Sequence, residues 1–139
     1  MVHIKIDFER GGAFTARLLV QEAPKTCQAI VDCLPFSYEF HQSVVSGQAM
    51  LALLPDLTVD RENQRTLGLP PGSLCFLVSN PSMNVPDEIY ISYGPYFVPR
   101  SFAVDAHEPV NVFGEIESGL DELMDVGKRV LGGSRDGAV

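Results

Sequence analysis

Val2, Ile4, Ile6 and Phe8 alternate without a break with His3, Lys5 and Asp7. A period of two sends the apolar side chains to one face of an extended segment and the polar ones to the other, so residues 2–8 read as a half-buried strand. Gly11-Gly12 supplies a turn into a second strand at residues 14–20, which closes a hairpin. The same grammar recurs downstream. Residues 37–45 and 48–54 read as two strands joined near Ser46-Gly47, residues 73–78 as a short apolar strand, and residues 88–93 and 110–116 as two more. Tyr93-Gly94-Pro95-Tyr96 interrupts the alternation. Residues 56–72 and 80–86 read as loops, the first carrying Arg61, Arg65 and the turn Pro70-Pro71-Gly72.

Two segments change period. Pro24 suits the first turn of a helix, and Ala23, Cys27, Ile30, Val31 and Leu34 make one apolar stripe that Pro35 ends. Ser118 with Asp121 three residues on approximates a capping box, and Leu120, Leu123, Met124, Gly127, Val130 and Leu131 form the buried face of a second helix. Asp121 and Glu122 suit its positive start, Lys128 and Arg129 its negative end, and Gly132 is a natural stop. Seven or eight strands with helices near residues 23–34 and 119–131 predict a mainly β fold. The expected architecture is a closed antiparallel β-barrel of about eight strands with two capping helices.

The chain has 139 residues, 45% hydrophobic and 20% charged, enough for one domain with a real core and too apolar for disorder. That domain is expected over residues 1–132, with residues 133–139 as a flexible tail. Acidic residues outnumber basic ones by 18 to 10, a formal charge of −8, which argues against nucleic acid and against anionic membrane surfaces as partners. The N-terminal residues hold no apolar signal-peptide core and no segment approaches a membrane span. Cys27, Cys33 and Cys75 are too few for a disulfide framework and read as free, mostly buried thiols. A reducing cytoplasm fits these features.

Three segments resemble the cyclophilins. Ala23-Pro24-Lys25-Thr26 matches their "APKT" helix start, Phe40-His41 the start of their "FHR" strand, and Val112-Phe113-Gly114-Glu115-Ile116 with Gly119-Leu120-Asp121 their "VFGxVxxGxD" passage. The three occur in the right order. Ser46-Gly47-Gln48-Ala49, Pro70-Pro71-Gly72, and Glu88 leading into Tyr93-Gly94 are similar to small bacterial cyclophilin-like proteins grouped as a family of unknown function. Gln48 departs from that pattern, where an acidic residue is usual.

The resemblance implies the fold more strongly than the activity. Prolyl isomerisation in cyclophilins depends on an arginine after Phe-His, a planar charged fork suited to the substrate carbonyl. Here that position is Gln42, and Gln48-Ala49-Met50-Leu51 does not reproduce the family's proline pocket, so efficient isomerase activity is not expected.

The comparison sends Gln42 to the cleft face and His41 inward, leaving His41 either a core histidine or a cleft residue. Without a bulge, Gln42, Ser46 and Gln48 share strand parity and form a polar strip. Glu88, Tyr90, Tyr93 and the Tyr96-Phe97 pair suggest a carboxylate beside aromatic walls. Arg100, with Arg61 and Arg65 as weaker candidates, is a cation able to reach a ligand carboxylate. His3, His41 and His107 show no metal-ligand spacing, and no metal or cofactor is expected. The expected function is binding, with conversion open, of a small polar metabolite on the outer face of the barrel. The alternative is a peptide- or protein-binding module with weak isomerase activity. The clustered aromatics further suggest a homodimer.

Overall fold

A computed structural model describes residues 1–44, 46–54, 57–78, 87–100 and 108–136, with side chains as far as residue 133. The expected hairpin forms first: β1 (His3–Asp7) pairs antiparallel with β2 (Ala13–Leu18), from His3↔Arg17 to Asp7↔Ala13. At its tip the Phe8 N–H donates to the Gly12 carbonyl at 2.8 Å and the Gly11 N–H to the Phe8 carbonyl at 3.0 Å. Gly11 and Gly12 hold φ of 112° and 111°, a region only glycine enters at little cost.

The remaining elements are α1 (Pro24–Cys33), β3 (His41–Gln42), β4 (Gly47–Leu53), β5 (Ser73–Leu77), β6 (Glu88–Phe97), β7 (Asn111–Ile116) and α2 (Leu120–Asp136). The strands join one seven-stranded sheet in the order β1-β2-β7-β5-β6-β4-β3, every neighbouring pair antiparallel. The sheet curls into a half-barrel. Among the described residues β1 and β3 are its two edges and are not paired with each other, so the closed barrel of about eight strands is replaced by an open one.

The strand expected over residues 37–45 shrinks to His41–Gln42. Phe36 and Phe40 instead turn against the core, and the Phe36 and Tyr38 rings meet edge-on at 5.3 Å. Apolar burial wins there over ladder hydrogen bonding.

The inner face of the curl carries the main core. Phe14, Met50, Phe76, Ile91 and Phe113 meet Cys27 and Ile30 of α1 and Leu123 and Val126 of α2. The outer face carries a second cluster of Ala49, Leu69, Cys75, Tyr90, Phe97 and Val112. β5 is buried along its whole length because it contributes to both, which explains its unbroken apolar run.

The helices start differently from one another. α1 has Pro24 in its first turn and no side-chain cap of its own. Its free N–H groups are met from a distance: Lys25 N–H and Thr26 N–H donate to the Glu62 carboxylate at 3.1 and 2.7 Å. α2 is preceded by Gly119, with φ 75°, whose carbonyl accepts from Leu123 N–H at 2.8 Å; the cap position is Gly119 and not Ser118. Nor does α2 stop at Gly132. Residue 132 does not take a positive φ, and the helix runs on to Asp136, into the segment expected to be a tail.

Candidate functional site

The sheet divides the sequence-predicted polar residues into two groups. Gln42 pairs with Met50 across β3 and β4, and Met50 belongs to the inner core. Gln42 is spoken for: Tyr93 Oη donates to its Oε1 at 2.6 Å, and its Nε2 donates to the carbonyls of Ser43 at 2.9 Å and Gly47 at 2.7 Å. Gln48 lies on the same side, accepting from the Tyr96 N–H at 3.1 Å and pressing with Met124 of α2 against Gly94. These amides hold Ser43, Gly47 and α2 in place.

Ser46, Glu88 and Tyr90 lie on the other side. A register shift separates the pairs Gly47↔Phe97 and Ala49↔Ser92, so the bulge that glycine allows breaks the shared parity of Gln42, Ser46 and Gln48. Tyr90 Oη donates to Glu88 Oε2 at 2.7 Å, and the Ser46 hydroxyl lies near that phenol. Ser46 Oγ also accepts from the Arg100 N–H at 3.0 Å. Burial raises the Glu88 carboxyl above its usual range; the Tyr90 bond opposes that rise and the Asp87 charge adds to it. Burial, then the Glu88 charge and hydrogen bond, also drive the Tyr90 phenol upward. Tyr93 does not join this group. It stands on the inner face, so the aromatic-walled carboxylate pocket does not assemble as expected.

His41 is neither inward nor in a cleft: it is exposed, opposite Leu51 on the outer side. Arg61 and Arg65 are exposed and bind the carbonyls of Val78 and Gly68 at 3.1 and 2.6 Å. Arg100 is exposed and joins the outer group through its backbone. His107 and the 80–86 loop lie outside the described residues. Among the described residues no group of three or more His, Cys, Asp or Glu side chains could hold a metal ion.

The concavity lies elsewhere. Where a closing strand would join β1 to β3, the half-barrel leaves a cleft of about 540 Å³. Its floor is Leu74, Ile89, Ile91 and Phe113 of the sheet, all buried. One wall is Ile4, Ile6 and Phe8; the opposite wall is Phe36 and Phe40; Ile30 of α1 and Val130 of α2 close the ends. Lys5, Asp7, Glu9, Arg10, Glu39 and Arg129 also line it, and each of these charged residues is exposed. The cleft thus has two zones, an apolar interior and a charged mouth. Arg129 ties the mouth together by donating from Nη2 to the Gly11 carbonyl at 2.9 Å and from Nη1 to the Arg10 carbonyl at 3.3 Å.

The model of the family described as "Protein of unknown function (DUF3830)" matches residues 4–139. The chain belongs to that family. No curated protein matches it. Among solved structures, that of McbB in complex with tryptophan superposes with a TM-score of 0.70 at 17% identity, over 91% of this chain and 38% of that one. At that identity the likeness is one of fold, and this DUF3830 chain spans well under half the length of McbB.

The residues that line the cleft of the DUF3830 chain were visible in its sequence only as core. Ile4, Ile6 and Phe8 carry the same alternation that any buried strand face carries, and Phe36, Tyr38 and Phe40 alternate in the same way. No local signal marks that the two walls stand apart.

Proposed function

We propose that the chain binds a small molecule whose apolar body enters the half-barrel cleft while its polar group stays at the mouth. The observation that carries this reading is the zoning of the cleft. Its buried floor offers no hydrogen-bond partner, so a ligand polar throughout would lose its hydration there without replacement. The volume falls in the range of small-molecule sites, roughly 300–1,000 Å³. Tryptophan, present in the McbB complex, is itself a molecule with an apolar body and a charged end, which is consistent with this chemistry on a similar fold. The polar metabolite expected from the Gln42 and Gln48 amides is not favoured, because those amides are engaged within the chain.

A thermal-shift screen of apolar and amphipathic molecules tests the proposal, since a ligand that binds only the folded state stabilises it by mass action. Val130→Trp, which fills the end of the cleft, should abolish every shift while the variant stays folded by circular dichroism. Shifts that survive Val130→Trp would place the ligand elsewhere.

A second reading keeps the cleft and changes its occupant. Among the described residues β1 has no partner on the edge away from β2, so an extended peptide with apolar side chains could add to it as a strand. Titration with such peptides, compared with single apolar molecules, separates the two.

A further inference from the structure

We infer that the group held at the cleft mouth is a monocarboxylate, received by Arg10 and Arg129. The inference rests on the cleft being a ligand site and goes further by assigning the charge of the ligand. Both arginines line the cleft, and the Arg129 contacts to the Arg10 and Gly11 carbonyls bring its guanidinium to the hairpin tip beside Arg10.

Among the described residues neither guanidinium is in an ion pair; Arg61, Arg65, Arg100 and Lys128 are not either, but only Arg10 and Arg129 of these line the cleft. In a chain with 18 acidic residues and 10 basic ones, two exposed arginines at one opening place positive charge where the end of a ligand leaving the apolar interior would lie. A planar fork matches a carboxylate through two parallel hydrogen bonds. Asp7 is compensated by Lys5 at 3.7 Å. Glu9 and Glu39 remain on the rim and oppose a second negative charge, which favours a carboxylate over a doubly charged phosphate. The apolar interior gives a carboxylate no partner, so it is held at the mouth.

The test is isothermal titration of the full chain with decanoate and decanol, and with phenylpropionate and phenylpropanol, so that aliphatic and aromatic bodies are both sampled. The expected result is an acid bound about tenfold more tightly than its alcohol, a preference that shrinks as salt rises. Arg10→Gln, at an exposed residue whose side chain makes no hydrogen bond among the described residues, should erase the preference for the acid over the alcohol. Arg10→Glu should turn the preference toward decylammonium. Equal binding of acid and alcohol by the wild type, or a preference that survives both Arg10→Gln and Arg129→Gln, overturns the inference and leaves the cleft a ligand site. If none of the probes binds, or if Val130→Trp binds them unchanged, the reading of the cleft fails and this inference with it.

Discussion

The Tyr93 ring occupies the space that a side chain at residue 127 would need: a Cβ on Gly127 would run into Tyr93 Cγ, Cδ1 and Cδ2. Helix α2 can therefore lie directly on β6, with the ring held from its other end by the hydrogen bond to Gln42. Helix α2, the inner strand β6 and the edge strand β3 are joined through Gly127, Tyr93 and Gln42.

Gly127→Ala measures that contact. Alanine favours the helix by about 1 kcal/mol over glycine. The overpacked methyl costs about 1–3 kcal/mol or more, because the ring is fixed at both ends and cannot step aside. The clash wins, and the urea midpoint should fall with little change in slope. A midpoint at or above the wild-type value would show that α2 can lift away from β6 freely.

Gln42→Ala should destabilise by about 1–3 kcal/mol, since it strands the Tyr93 hydroxyl and frees the Ser43 and Gly47 carbonyls. It should not change prolyl isomerisation in a protease-coupled assay, where wild type and variant alike should run at the uncatalysed rate. The amide at this position is committed to the fold, so catalysis abolished by Gln42→Ala would contradict its structural role.

Glu88 makes stability depend on pH in a particular direction. Its carboxyl titrates above the unfolded value of 4.5, chiefly because of burial. A raised acid favours folding fully below the unfolded pKa, and that contribution is lost as pH rises through the folded one. Glu88→Gln keeps an oxygen acceptor for Tyr90 and removes the charge. Relative to wild type it should gain stability between mildly acid and neutral pH and lose that advantage below about pH 4. Parallel melting curves for the two proteins from pH 3.5 to 7.5 check this; a gap independent of pH would mean that Glu88 is solvated.

Glu62 works in the opposite sense. Burial alone would raise its carboxyl, but bonds from the Thr26 hydroxyl, the Thr26 and Lys25 N–H groups and the Lys25 charge bring it below 4.5. Its contribution is therefore present above the unfolded pKa and fades as pH falls through the folded one. Thr26 also receives a hydrogen bond from Asn111 Nδ2 at 3.0 Å, and Asn111 Oδ1 accepts from the Glu62 N–H at 2.7 Å. Thr26→Val should cost about 1–3 kcal/mol, because it leaves buried partners unsatisfied. It should also flatten the acid limb of the stability profile. Glu62→Gln should flatten that limb as well. Unchanged acid sensitivity in both would place the pH dependence elsewhere.

Alternation in Val2, Ile4, Ile6 and Phe8, the Gly11-Gly12 tip and the Pro24 helix start were all legible, because each rests on a preference acting over a few residues. The three cysteines read correctly as free, and Cys27 spends its thiol on the Phe113 carbonyl at 3.3 Å. The polar strip was not legible. Its parity depended on a register shift beside Gly47, where only glycine leaves room for the Tyr96 carbonyl, a contact with a distant segment. Likewise the cap of α1 comes from Glu62, far along the chain, so nothing next to Pro24 announces it.

By itself, then, the sequence determined which segments extend, which coil and which face of each is apolar, since periodicity and turn chemistry are local. Only the tertiary structure decided that, among the described residues, β1 and β3 are the unjoined edges of the sheet with a cleft between them. An apolar side chain lining an open cleft and one sealed in a core satisfy the same pattern. The difference lies in how far the sheet curls, and that is set by the packing of α1, α2 and residues 36–40 against its inner face.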